Sequence, residues 1–171
     1  GGDTKLGKTA KKPGQGAALR IKLYKGFDGL GEHVEDLERQ WSATASRSYN
    51  KAMRRMELTN GKIRGLDGRP ITVPYRHQLL VYELQSDEAI FMEAAYNKAI
   101  ADLERAGLIY GTDFGGVCHY HDEFTIECKP EHADFVKKVS EDSIAWAGRF
   151  YKIVCPHKGD GKIGKDWYSV H

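Results

Sequence analysis

His119-Tyr120-His121-Asp122-Glu123 places two imidazoles and two carboxylates within five residues. The run lies where two strand-like arms must reverse, yet it contains no Gly, Asn or Pro, so turn chemistry did not select these residues. Adjacent carboxylates on a tight turn can give Mg²⁺ one direct oxygen ligand and a second group that orients a coordinated water. That is one half of a two-metal phosphoryl-transfer site. If strand alternation runs unbroken, Asp122 shares a face with Cys118, Tyr120, Phe124 and Ile126. An unpaired carboxylate is expensive on such a face, and a bound cation removes the cost. The plainer reading of the pair is a solvated hairpin tip.

The arms that would hold this turn run from Val117 to Cys128, with Phe124, Ile126 and Cys128 alternating against Thr125 and Glu127. Upstream, Leu80, Leu84, Phe91, Ala95, Ala99 and Leu103 keep one face of a helix apolar from about Gln78 to Ala106, and Gly107 can cap its end. A shorter hairpin spans Lys62 to Val73 around Leu66-Asp67-Gly68-Arg69, since Asp-Gly is a strong turn signal. Helices are expected from Ala17 to Tyr24 and from His33 to Met56, separated by Gly26, Gly29 and Gly31, with Asn60-Gly61 ending the second. Residues 1 to 18 read as a basic Gly- and Lys-rich loop. Pro130 opens a last long helix with Phe135, Val139, Trp146 and Phe150 as its apolar stripe and Gly148 at its fraying end. A final strand follows from Tyr151 to Cys155. Antiparallel hairpins with helices packed on one side give an α+β architecture.

The chain has 171 residues, 40% apolar and 29% charged, which suits one folded domain and excludes a disordered or collagen-like polymer. No apolar run approaches the roughly 18 residues of a membrane span, so a soluble protein is expected. Cys118, Cys128 and Cys155 cannot all pair within one chain and form no Cys-x-x-Cys, which favours a reducing cytoplasm. Residues 1 to 80 carry 16 Lys/Arg against 8 Asp/Glu, whereas the remainder carries 10 against 16. A basic half beside an acidic half suits a polyanion held next to a carboxylate metal site. Two differently charged solvated surfaces would look the same.

The run Val117-Cys118-His119-Tyr120-His121-Asp122-Glu123-Phe124-Thr125-Ile126 resembles motif C of family A DNA polymerases, the DNA polymerase I type, in which His-Asp-Glu sits at a hairpin tip of the palm. Gly65-Leu66-Asp67-Gly68-Arg69 is similar to the hairpin before that family's long palm helix, and Leu84-Gln85-Ser86 to the start of that helix. Gly161-Lys162-Ile163-Gly164-Lys165-Asp166-Trp167 and His171 resemble the C-terminal end of the bacteriophage members. Gly1-Gly2-Asp3-Thr4-Lys5-Leu6-Gly7 looks like the segment after the motif B helix of the fingers. The landmarks keep the family's order over essentially the whole chain.

The resemblance implies a fingers remnant with connecting helices over residues 1–60 and a palm subdomain over residues 61–171, together one fragment of a polymerase domain. It implies Asp122 as a catalytic metal ligand for Mg²⁺, Glu123 as the neighbouring carboxylate and His121 against the primer terminus. Gln85 and His77 would face the minor groove, where acceptors common to all base pairs allow sequence-independent checking of pair geometry. Arg69, Lys62 and Arg64 would meet phosphates, and His171 would approach the active site from a last strand. The partners implied are primer-template DNA and deoxynucleoside triphosphates, in the cytoplasm of a bacterial host. Val81, where many members have Asn, removes one minor-groove contact, and Asp87-Glu88 add negative charge near the expected DNA path. Asp28 and Tyr120 also depart from the family's usual residues without touching a ligand.

The family's second metal-binding Asp belongs to motif A, and the groups that hold the incoming triphosphate belong to motif B. Both would lie upstream of Gly1, so the expectation is a piece of a longer enzyme, or one part of a split enzyme, unable to extend a primer alone. Two other readings compete. One is a non-catalytic nucleic-acid-binding module that uses the basic half. The other is a small metal-dependent hydrolase or zinc protein built on Cys118, His119, His121 and Cys155-Pro156-His157, although this spacing fits no regular zinc pattern.

Overall fold

The computed structural model describes residues 29–170. The expected basic loop, the helix over residues 17–24, Gly26, Asp28 and His171 lie outside the described residues. The chain is mixed helix and strand, as expected, and its described strands pair as three separate antiparallel hairpins. It divides into two compact units between Ser86 and Asp87.

In the unit that ends at Ser86, α1 spans Leu30–Thr44 and starts at Gly29, whose φ of 74° is the left-handed conformation glycine adopts freely. Gly31 belongs to this helix and does not separate two helices. Leu37 and Trp41, one turn apart, are its buried positions. The helix was expected to continue to Met56, but it stops at Thr44. Ala45 is already extended, and β1 (Ser46–Asn50) pairs with β2 (Arg55–Thr59) from Ser46↔Thr59 to Asn50↔Arg55. The reason is local: Ser42, Thr44, Ser46, Ser48 and Asn50 crowd this stretch, and their short polar side chains compete for backbone groups instead of extending a helix. Asn50 shows it directly, because its Oδ1 accepts from the Ala52 and Met53 amides at 3.0 and 3.1 Å and so builds the turn.

Asn60, with φ 54°, is a corner between strands and not a helix end. It leads into β3 (Gly61–Arg64), which pairs with β4 (Pro70–Val73) as the Asp-Gly signal requires, with Gly68 at φ 81°. Helix α1 covers the edge of β3. Thr44 Oγ1 accepts from the Lys62 amide at 2.6 Å, and Gln40 Oε1 accepts from the Arg64 amide at 2.9 Å. Leu37, Trp41, Ile63, Val73 and Leu79 form the core, and Trp41 Nε1 donates to the Val73 carbonyl at 2.8 Å. Gly61 is required by this packing, since a Cβ there would run into the Trp41 ring and carbonyl.

A single 3₁₀ turn, Arg76–Gln78, precedes α2 (Leu79–Arg105), the long helix expected from periodicity; it is closed by Gly107 at φ 95°. Its apolar face departs from the expected one at Leu84, which is 59% exposed, while the buried position is Glu83, held by His33 Nε2 at 2.8 Å. In the unit that begins at Asp87, β5 (Phe114–Tyr120) pairs with β6 (Glu123–Cys128), and the 3₁₀ turn Pro130–His132 opens α3 (Ala133–Phe150). The core here is Leu103, Phe114 and Val136, with Ile100, Ile126 and Val139 packed against it.

The stripe expected on α3 is shifted. Phe135 and Phe150 are exposed, and Val136, Ser143, Ala147 and Gly148 are buried. Small residues permit close approach there: His157 packs against Gly148 and against Phe91, with ring centroids 4.7 Å apart. Residues 151–155 form no strand; the helix exits through Tyr151, and Lys152 at φ 56° turns the backbone away. The chain ends its described part in the short helix α4 (Trp167–Val170), opened by the Asp166 carboxylate on the Ser169 amide at 2.8 Å. All three cysteines are free thiols, Cys155 exposed and the other two half-buried. Burial, then the charge of Glu127, pushes the Cys128 thiol up from its ordinary value.

Candidate active site

The acidic run sits at the tip of the β5–β6 hairpin. Tyr120 pairs with Glu123, so His121 and Asp122 alone make the turn, and His121 takes φ 51°. Histidine is among the residue types that tolerate this left-handed conformation, which explains how the reversal proceeds without Gly or Asn. The His121 ring rests edge-on against Tyr120 with centroids 4.2 Å apart.

This geometry corrects the expected face assignment. A two-residue turn changes the parity of the alternation, so His119 lies opposite Phe124, Cys118 opposite Thr125 and Tyr120 opposite Glu123. A register shift between Gly116 and Cys118 adds a bulge in β5 that leaves Val117 exposed. Asp122 is therefore not on an apolar face. It is exposed at the tip, Glu123 beside it is half-buried, and no burial penalty requires a cation. What the tip offers is accessible oxygen chemistry on a turn whose two strands are firmly based.

That base was not read from the sequence. Tyr96 on α2 stacks on His119 at 5.6 Å and meets Phe124 edge-on at 5.5 Å, while Glu93, one turn earlier, reaches His119 Nδ1 at 3.3 Å. Desolvation first, then its hydrogen bond with Tyr110, pushes the Tyr96 phenol above its ordinary value. Tyr110 Oη also accepts from the Gly116 amide at 3.2 Å. The strand ends are tied by Asp113, whose carboxylate accepts from Lys129 Nζ at 2.6 Å and from the Ile109 amide at 2.8 Å. The signal was present as Glu93 and Tyr96 at helical spacing, with Gly115-Gly116 marking a close approach.

The remaining expected residues that are described, Lys62, Arg64, Arg69, His77 and Gln85, fall in the other unit. Lys62 and Arg64 are exposed on β3, across from Thr72 and Pro70, while Ile63 points into the core. Arg69 is bound to Asp67 at 2.5 Å, and this hydrogen bond holds the Asp67 carboxyl below the usual range. His77 is exposed and stacked on Tyr75 at 5.8 Å, and Gln85 is exposed on α2. The structure thus groups His121, Asp122 and Glu123 on one turn, and Lys62, Arg64 and Arg69 on one hairpin. Among the described residues no three His, Cys, Asp or Glu side chains gather as a metal-binding group. The side chains proposed for zinc are otherwise engaged or apart: His119 faces Glu93, His157 packs on Phe91, and Cys155 is exposed.

Compared with known proteins, the chain is 26% identical over 174 aligned positions to the DNA-directed DNA polymerase of Enterobacteria phage T3, and equally to that of Escherichia phage T7. The chain is similar to phage DNA-directed DNA polymerases. Each match covers 99% of this chain, and the chain spans about a quarter, 24%, of the length of these curated relatives. The likeness to the phage polymerases thus runs through both units and is not confined to the acidic turn. No family model matches the chain.

Proposed function

We propose that the chain serves as part of a DNA-directed DNA polymerase of family A, with a fingers remnant and its connecting segments over residues 1–60 and palm over residues 61–171. The observation that carries this reading is the alignment to two phage polymerases along 99% of the chain. The accessible acidic tip supports it. Carboxylate oxygens are the donors that Mg²⁺ prefers, and Asp122 would hold the ion while Glu123 orients a coordinated water. The bound ion would supply charge neutralisation for phosphoryl transfer.

In the complete enzyme a primer 3′-hydroxyl attacks the α-phosphorus of a deoxynucleoside triphosphate and pyrophosphate leaves. The part assigned to this chain is positioning. His121, ordered by its contact with Tyr120, would lie at the primer terminus, and the Glu93–Tyr96–His119 support would fix the height of the tip. Gln85 and His77 would face the minor groove of the primer-template duplex, Lys62, Arg64 and Arg69 its phosphates, and His171 the active site. A second carboxylate element, from polymerase sequence outside these residues, would complete the two-metal arrangement, which is why this chain by itself is expected not to extend a primer. Among the described residues no helix is long and apolar enough to cross a membrane, and a phage polymerase part would work in the host cytoplasm.

The test combines this chain with a polymerase segment that carries the complementary carboxylate and triphosphate-binding residues. Asp122→Ala should abolish templated incorporation, by a factor of roughly a hundred or more, while primer-template binding persists. Incorporation that survives the substitution would leave a non-catalytic nucleic-acid-binding module as the better reading.

A further inference from the structure

The β1–β2 hairpin leaves both of its faces largely open to solvent. On one face Ser48 bonds Thr59 at 2.9 Å, and Asn50 and Arg55 both bond Glu57, at 2.8 and 2.7 Å; this polar face includes the buried Thr59. The pairs Arg47↔Leu58 and Tyr49↔Met56 share the opposite face. That face is exposed: Tyr49 59%, Met56 56% and Leu58 39%, with Met53 59% exposed in the turn. Arg47 on this face and Lys51 and Arg54 in the turn are exposed, and among the described residues none of the three forms an ion pair. The only carboxylate of the hairpin, Glu57, is held on the polar face by Arg55.

Arg54 adds an independent pointer. It sits at φ 51°, where glycine or asparagine is favoured and arginine is strained. The turn chemistry does not ask for a cation at this position.

We propose that this face binds single-stranded nucleic acid, with Tyr49 as a stacking platform for an unpaired base and Arg47, Lys51 and Arg54 on the flanking phosphates. An aromatic ring and thioethers interleaved with uncompensated cations match an unstacked strand, which presents both π-faces and a polyanionic backbone. A duplex hides its base faces and would leave Tyr49, Met53 and Met56 without a partner. The site goes beyond the polymerase reading and does not depend on Asp122, so it is tested without nucleotide or divalent metal.

The experiment is fluorescence anisotropy of a labelled oligo(dT) with the full chain in EDTA, beside a duplex of equal length. Tyr49→Ala should weaken oligo(dT) binding by roughly five- to 150-fold, the loss expected for one stacked base, and affect the duplex much less. Arg54→Gly should retain or raise the melting temperature, because glycine relieves the turn. The same variant should weaken oligo(dT) and reduce the slope of log affinity against log salt by about 0.7. Parent-like oligo(dT) binding by both variants would overturn the proposal. So would equal losses for strand and duplex, or unchanged oligo(dT) binding together with loss of an acidic protein partner.

Discussion

At Gly116 the space a side chain would fill is taken by the Tyr96 hydroxyl, and a Cβ there would overlap it. Gly116→Ala should therefore lower stability by about 1–3 kcal/mol through overpacking, read as a shift in urea midpoint. Tyr96→Phe in the same background should restore part of the loss by removing the clashing oxygen. Asp122→Ala, at an exposed tip, should leave the midpoint within about 0.5 kcal/mol of the parent. The pair of substitutions separates what supports the turn from what the turn presents. At this scale the acidic reversal was legible, because His121-Asp122 fell between two alternating arms. Its side-chain direction was not, because a two-residue turn and the bulge at Val117 each alter strand parity; the turn has no compositional mark, and Gly115-Gly116 before the bulge do not fix where the extra residue falls.

Elements were legible where one strong local signal stood at their ends. Asp67-Gly68 defined the β3–β4 turn and Gly107 closed α2. They were misread where an apolar period continued past a competing signal. The helical pattern expected from His33 to Met56 suggested a longer α1, but the Ser, Thr and Asn side chains from Ser46 on supply the hydrogen bonds of a hairpin. On α3 the large residues drew the stripe toward Phe135 and Phe150, whereas burial follows the small Ser143, Ala147 and Gly148. Trp41 is the keystone of the first element group: it is 3% exposed, it donates to Val73, and Gly61 lies against it. Trp41→Ala should cost about 3–5 kcal/mol, measured by denaturant titration of tryptophan-independent circular dichroism. Trp41→Phe should cost less, because it keeps most of the packing while leaving the Val73 carbonyl without its donor.

In both units carboxylates are held below their ordinary range by donors. Asp36 is held by Arg39 and Gln40, Glu57 by Asn50 and Arg55, Asp67 by Arg69, Asp102 by Lys98 and Arg105, and Asp113 by Lys129 and the Ile109 amide. A carboxyl whose folded value is depressed stabilises the fold above its unfolded value and loses that contribution as pH falls through the folded one. The urea midpoint should therefore be flat above about pH 5 and decline below pH ~4. Asp113→Asn should make the decline shallower, and an unchanged slope would show that its pairing with Lys129 is not held in solution. These carboxylates occur in both units, so acid should weaken each. The α+β class was readable from hairpin and helix patterns, and the likeness to the phage polymerases extends along 99% of the chain; the division inside a continuous α2 was not, because a helix carries no sequence mark where contacts change partners. One of the free thiols stands apart from the others: Cys155 is exposed, whereas Cys128 is half-buried with its thiol pushed up by that burial. A maleimide dye at neutral pH should therefore attach first behind α3, giving a fluorophore that reports on distances without any engineered cysteine.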